Sequence, residues 1–77
     1  MKINLTQMQP GESGIVVEIQ GGYGLVKKVQ SMGIRPGKKI TKLSSHFWQG
    51  PQTVAVGRAR VAVGYGMAKR IFIEANE

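Results

Sequence analysis

The sequence has no cysteine, no aspartate, a single histidine and five aromatic residues among its 77 positions. Without cysteine, neither a disulfide nor a thiolate metal site can staple the chain. Without Cys or Asp, and with His46 alone, neither a Ser-His-Asp triad nor a Cys-His pair can be assembled. A Ser-His-Glu variant would need His46 beside Glu12, Glu18, Glu74 or Glu77, and nothing in the spacing suggests it. No apolar run approaches the ~20 residues of a membrane span. The opening Met1-Lys2-Ile3-Asn4 does not read as a signal peptide. These absences lead to the expectation of a cytoplasmic, non-enzymatic, single-domain protein over residues 1–77.

Metal and phosphate chemistry is poorly provided for. A divalent transition metal wants three or four converging N, O or S ligands. His46 is alone in its loop, the glutamates sit toward the two ends, and Met1, Met8, Met32 and Met67 read as core filler. A site shared between chains through His46 is the one arrangement left open. Gly33-Ile34-Arg35-Pro36-Gly37-Lys38-Lys39 superficially resembles a phosphate loop but has the wrong spacing and lacks the magnesium-binding Ser or Thr. Gly21-Gly22-Tyr23-Gly24 is better explained as a strand-to-helix linker than as a phosphate cradle. The sequence thus assigns no catalytic residue, no metal ligand and no cofactor.

Charge of one sign is abundant. Eleven Lys and Arg stand against four Glu, a net charge of +7. Between Glu18 and Glu74 there is no acidic residue, and ten of the eleven basic ones lie in that span. Such a surface attracts polyanions, acidic protein faces and anionic headgroups, and composition does not choose among them. Solubility alone is the plain alternative.

One stretch reads as a long helix. Leu25, Val26, Val29 and Met32 share one face of about 120°, with Lys27 and Ser31 opposite. Gly33 suits a left-handed helix stop, and Pro36 cannot continue one. This helix is expected to organise the core. Leu5–Met8 reads as a helical turn, Gln9-Pro10-Gly11-Glu12 as a type II turn, and residues 15–19 as a strand with Ile15, Val17 and Ile19 on one face. Lys38–Ser44 reads as a strand with a bulge near Lys42 that reconciles Ile40 with Leu43. Gly57-Arg58 matches a type II′ loop between Thr53–Val56 and Ala59–Val63. Gly64–Arg70 holds a helical turn, and Ile71–Ala75 closes as a strand. About five short strands and one short α-helix, with glycine at the bends, point to a mainly β, small SH3-like β-barrel, with an OB-type barrel second.

The outward residues Lys27, Lys28 and Arg35 are candidates for contact with an acidic partner. Phe47-Trp48, adjacent aromatics in a loop, cannot easily both point inward, so one is expected to face a partner. Tyr23, Tyr65 and Phe72 join them as possible stacking platforms, against the commoner fate of packing the barrel ends.

The order of signals also carries a resemblance. Leu5, Met8, Gly11 and Gly14 precede the first strand and Gly21-Gly22 the helix. Met32-Gly33-Ile34-Arg35-Pro36-Gly37 is followed by Ile40, Gly50-Pro51, a Val-rich hairpin, Ala68 and Ile71-Phe72-Ile73. From Leu5 to Ile73 this resembles the FeoA family, small cytoplasmic proteins of bacterial ferrous iron uptake. The resemblance implies an SH3-like barrel, similar to the C-terminal domain of diphtheria-toxin-type metal-dependent repressors. It also implies family-level transition-metal association and an adaptor role with FeoB, the membrane iron transporter that carries a cytoplasmic GTPase domain. Four positions depart from the family pattern. Gly64 and Met67 stand where Arg and Glu are usual, the usual Asp between Gly50 and Pro51 is absent, and Lys42 occupies a position that is usually apolar. The alternative reading is a basic small-barrel nucleic-acid-binding protein, which would show a steep loss of affinity with salt.

Overall fold

The computed structural model describes residues 1–45 and 49–75. Its elements run β1 (Lys2–Asn4), a 3-10 turn (Leu5–Gln7), β2 (Ser13–Ile19), α1 (Tyr23–Ser31), β3 (Lys39–Ser45), β4 (Gln52–Val56), β5 (Ala59–Val63), α2 (Tyr65–Ala68) and β6 (Ile71–Ala75). The strands form one antiparallel sheet in the order β1-β6-β2-β3-β4-β5. This is one strand more than the sequence suggests, because β1 is only three residues long and too short to show a period. Among the described residues β1 and β5 are not paired with each other, so the ladder has two edges and is not closed into a barrel.

Local signals act as the residue types require. Asn4 caps the 3-10 turn by accepting from the Thr6 amide at 2.9 Å, while Gln7 Oε1 accepts the Asn4 amide at 2.9 Å. The Gln9–Glu12 turn closes with the Glu12 amide on the Gln9 carbonyl at 2.9 Å. In Arg35-Pro36-Gly37-Lys38, Pro36 presets one central dihedral and Gly37 takes the other at φ +92°, and the Lys38 amide bonds the Arg35 carbonyl at 3.0 Å. That turn is sewn to β2 by Gly37 N–H to the Val16 carbonyl at 2.7 Å and Val16 N–H to the Lys38 carbonyl at 2.9 Å. Pro36-Gly37 is therefore an extension of the β2–β3 ladder. The hairpin loop is of type II′: Gly57 has φ +59° and Arg58 keeps an ordinary negative φ.

The core lies on the inner face of the sheet, with Val16, Ile40, Val54, Ile71 and Ile73 fully buried, and is closed by Leu5 and Ile34. Helix α1 lies against it and does not organise it. Only Val29 of α1 is fully buried, and Leu25 and Met32 pack partly against the cluster. Burial of a few side chains suffices for a nine-residue helix, whereas the sheet supplies most of the apolar area. Gly33 ends the helix at φ +87°. Gly33→Ala is expected to lower stability by about 1–2 kcal/mol through backbone strain, read as a fall in the urea midpoint at unchanged slope.

Two facing assignments differ from the sequence reading. In β2 the inward side chain is Val16, while Ile15 and Val17 are 41% and 43% exposed. A bulge between Val16 and Glu18 changes the phase, so Ile19, paired with Ile71, turns back toward the core. Three alternating apolar residues thus do not share a face. In β3 the expected bulge is present, between Lys42 and Ser44. It does not bring Leu43 inward: Lys42 is buried at 0% exposure and Leu43 is at the surface.

Candidate functional site

Lys42 is the largest feature that composition could not reveal. Its amide donates to the Glu12 carbonyl at 2.9 Å and its carbonyl accepts the Gly11 amide at 2.7 Å. Its side chain crosses the core, and Nζ donates to the carbonyls of Leu5 at 3.0 Å and Met8 at 3.1 Å. One residue of β3 therefore grips the whole Leu5–Glu12 segment from three sides. Burial disfavours the ammonium and pulls its pKa below the ordinary 10.5, with the Glu12 charge opposing that shift. The usually apolar position keeps its core location, and the amine finds partners at the open end of the 3-10 turn. Lys42 is thus a structural cation and is unavailable to a ligand.

Three of the candidate partner residues lie on α1 and the turn that follows it. Lys27 and Lys28 are exposed on α1, and Arg35 is exposed in the turn after it. Lys27 lies over the ring of Tyr23, 5.7 Å from its centroid, and Tyr23 is itself 81% exposed, one helical turn earlier. The sequence reading put Tyr23 in a linker, whereas it is the first residue of α1. Phe47, Trp48 and His46 lie outside the described residues. The other aromatics are half-buried and carry a cation each, Lys69 over Tyr65 at 5.7 Å and Lys2 over Phe72 at 5.3 Å.

Gly64 and Met67, where relatives are expected to carry an Arg and a Glu, hold the α2 turn by other means. The Gly64 carbonyl accepts the Ala68 amide at 2.8 Å, Ala68 is buried, and Met67 packs against the core.

The outer face of the sheet carries a second basic region. An open cavity of about 370 Å³ is lined by Lys38, Lys39, Thr41, Ala55 and Gly57. Its floor is made of small side chains, and Thr41 shares a 2.8 Å hydroxyl–hydroxyl hydrogen bond with Ser13. Two of the acids are paired. Glu18 is paired with Lys2 at 2.7 Å, a contact that lowers the Glu18 pKa, and Glu74 is paired with the N-terminal amine. Among the described residues no three His, Cys, Asp or Glu side chains come together to hold a metal, and no helix is long and apolar enough to cross a membrane.

A small antiparallel sheet with α1 packed on it and, among the described residues, exposed cations that outnumber the acids has the character of a binding module. Comparison with known proteins gives this class a family. The FeoA domain model matches residues 3–75, and the chain belongs to that family, which comprises small SH3-like accessory proteins linked to iron transport and not enzymes. The chain is 33% identical over 67 residues to a candidate Fe(2+) transport protein A of Methanocaldococcus jannaschii, covering 87% of this chain and 79% of that one. It superposes on the crystal structure of an iron uptake regulatory protein, FeoA, with a TM-score of 0.93 and 42% identity, over 99% of this chain and 100% of the other. A zinc complex of Stenotrophomonas maltophilia FeoA, described as an SH3 domain protein, aligns at TM-score 0.79 and 20% identity over 94% and 89% of the chains. A manganese-dependent transcriptional repressor shares the fold at TM-score 0.89 and 22% identity, covering 97% of this chain but 42% of the repressor.

Proposed function

We propose that this protein is a cytoplasmic, single-domain accessory of ferrous iron uptake that acts by docking on the cytoplasmic GTPase part of an FeoB-type membrane transporter. The observation that carries this reading is family membership over residues 3–75, together with the 42% identity to the FeoA crystal structure across nearly the whole chain. The absence of an acid–base pair among the described residues is consistent with regulation by contact. The proposed contact uses Lys27, Lys28 and Arg35, with Phe47 and Trp48, which follow β3 in the sequence, as the apolar part. Exposed rim charges of this sort mainly set association rate and salt sensitivity.

Reversal of both helix lysines, Lys27→Glu with Lys28→Glu, is expected to weaken capture by the transporter's cytoplasmic domain about five- to thirtyfold, given ~0.5–1 kcal/mol per exposed charge. The measurement is a pull-down titration at low and moderate salt. Unchanged capture at low salt would remove these residues from the interface. Failure of the unaltered protein to bind at all would remove the docking reading.

A further inference from the structure

Among the described residues the outer edge of β5 has unoccupied strand-pairing capacity beside positive charge that has no ion-pair partner. β5 pairs with β4 in the register Val56↔Ala59, Ala55↔Arg60, Val54↔Val61, Thr53↔Ala62, Gln52↔Val63, without a bulge. In a two-residue hairpin the pair that closes the loop exchanges both hydrogen bonds, and every second pair thereafter does the same. Val61 and Val63 therefore direct their N–H and C=O groups to β4. Arg60 and Ala62 direct theirs away from the sheet, where no described strand or turn meets them. Both residues are exposed.

The chemistry around this edge is one-sided. Arg60 lies on it and Arg58 in the hairpin loop that leads into it, and beyond Ala55 of β4 stand Thr41 and Lys39 of β3 and the basic cavity. None of Lys38, Lys39, Arg58 and Arg60 has an ion-pair partner among the described residues. The paired acids Glu18 and Glu74 are on β2 and β6, three and four strands in from β5, and Glu12 lies just before β2.

We propose that the β5 edge and the adjoining basic cavity receive an extended acidic segment of a partner protein, which pairs with Arg60 and Ala62 as a seventh strand. An edge offering alternate N–H and C=O groups matches a polypeptide backbone, a ladder that a phosphate chain or a lipid headgroup does not supply. Alternate carboxylates of the added strand face Arg60, while Lys38 and Lys39, two strands further in than β5, add to the positive field over that face, and specificity comes from the alternation. A second copy of this chain is disfavoured as occupant, because edge-to-edge pairing would bring two Arg58–Arg60 edges and two net charges of +7 together. The inference rests on the reading of the protein as one that works by protein contact, and it uses a surface other than α1.

The probe is a fluorescein-labelled peptide of alternating glutamate and valine, titrated at roughly 50 mM salt, where screening is weak. Saturable binding is expected, with amide exchange slowed at Arg60 and Ala62 in the wild-type protein. Arg60→Glu should weaken it at least tenfold. Ala62→Pro should do the same by removing an outward N–H, while the β4 pairing and the far-UV circular dichroism spectrum are retained. Lys27→Glu with Lys28→Glu should leave peptide binding unchanged while weakening transporter capture. No binding up to millimolar peptide overturns the proposal, as does binding without exchange protection at Arg60 and Ala62. Equal competition by RNA or by anionic vesicles, or peptide-independent dimerisation through β5, also overturns it. Peptide binding without transporter capture would sink the transporter reading and leave the β5 site standing. Transporter capture without peptide binding would do the reverse.

Discussion

Replacing Lys42 by alanine is expected to destabilise the fold by about 3 kcal/mol, a large share of the stability available to a domain of this size. Two losses combine. A fully buried four-carbon stem leaves a cavity among Leu5, Val54 and their neighbours, and the ammonium no longer satisfies the Leu5 and Met8 carbonyls. The Leu5 carbonyl keeps the Met8 amide at 3.2 Å, so the Met8 carbonyl is the one left without a described partner. Lys42→Met separates the contributions. It retains the stem and removes a desolvated charge, so its cost should be smaller, about 0–2 kcal/mol. Urea unfolding followed by circular dichroism measures both, and an alanine variant with the wild-type midpoint would show that Lys42 holds nothing.

The same pair of proteins has a signature in pH. The folded-state pKa of Lys42 is lowered by burial, so in the window between it and the unfolded value near 10.5 the unfolded chain binds more protons. Stability from this group therefore rises with pH through that window and is lost as pH falls through the folded-state pKa. The wild-type protein should gain on the methionine variant as pH is raised from neutral toward 10.5. A constant difference would mean that the ammonium is as well solvated folded as unfolded.

Gly14→Ala is the second large effect, about 3 kcal/mol of destabilisation or failure to fold. A Cβ at Gly14 would stand 2.4 Å from Ile73 Cγ2, 2.7 Å from the Glu74 carbonyl oxygen and 3.2 Å from the Ala75 Cα. The last two are backbone atoms of β6, the strand paired with β2 at Gly14↔Ala75. Relief thus requires opening the β2–β6 ladder, which a side-chain rotation cannot accomplish. Gly24→Ala is the control: a Cβ there meets nothing within 4 Å, and the helical site should gain about 0.5–1 kcal/mol. Equal midpoints for the two alanine variants would contradict the close approach of β2 and β6.

Several elements were legible because their causes span only a few residues. Pro36-Gly37 and Pro10-Gly11 sit at turn centres, Gly57-Arg58 at a hairpin loop, and Gly33 at a helix stop. Each is decided by which backbone dihedrals those residue types tolerate. The β6 strand and the Val54–Val61 facing pair follow from alternation alone. The basic, acid-free span and the lack of catalytic groups are likewise properties of the residue list.

Other features depend on contacts across the chain, and a local pattern does not contain them. Ile15-Val16-Val17 offers two apolar faces; the choice of Val16 as the inward one is made by its pairing with Ile73 and by the bulge that follows. The bulge in β3 could be anticipated, but not that Lys42 would take the inward place of Leu43. That choice depends on two carbonyls 34 and 37 residues away in sequence, to which an amine can bond and a leucine cannot. The proposed β5 site belongs with these. Arg60 is visible in the sequence as an exposed charge, but the sheet order decides that its strand is an edge and that Lys38 and Lys39 stand two strands away. The turns, the helix stop, the hairpin and the sign of the surface follow from short stretches of backbone and from composition. Which faces are buried, where a buried lysine finds its partners and which strand lies at the edge of the sheet follow from the fold, because each is an energy shared between residues that meet only on folding.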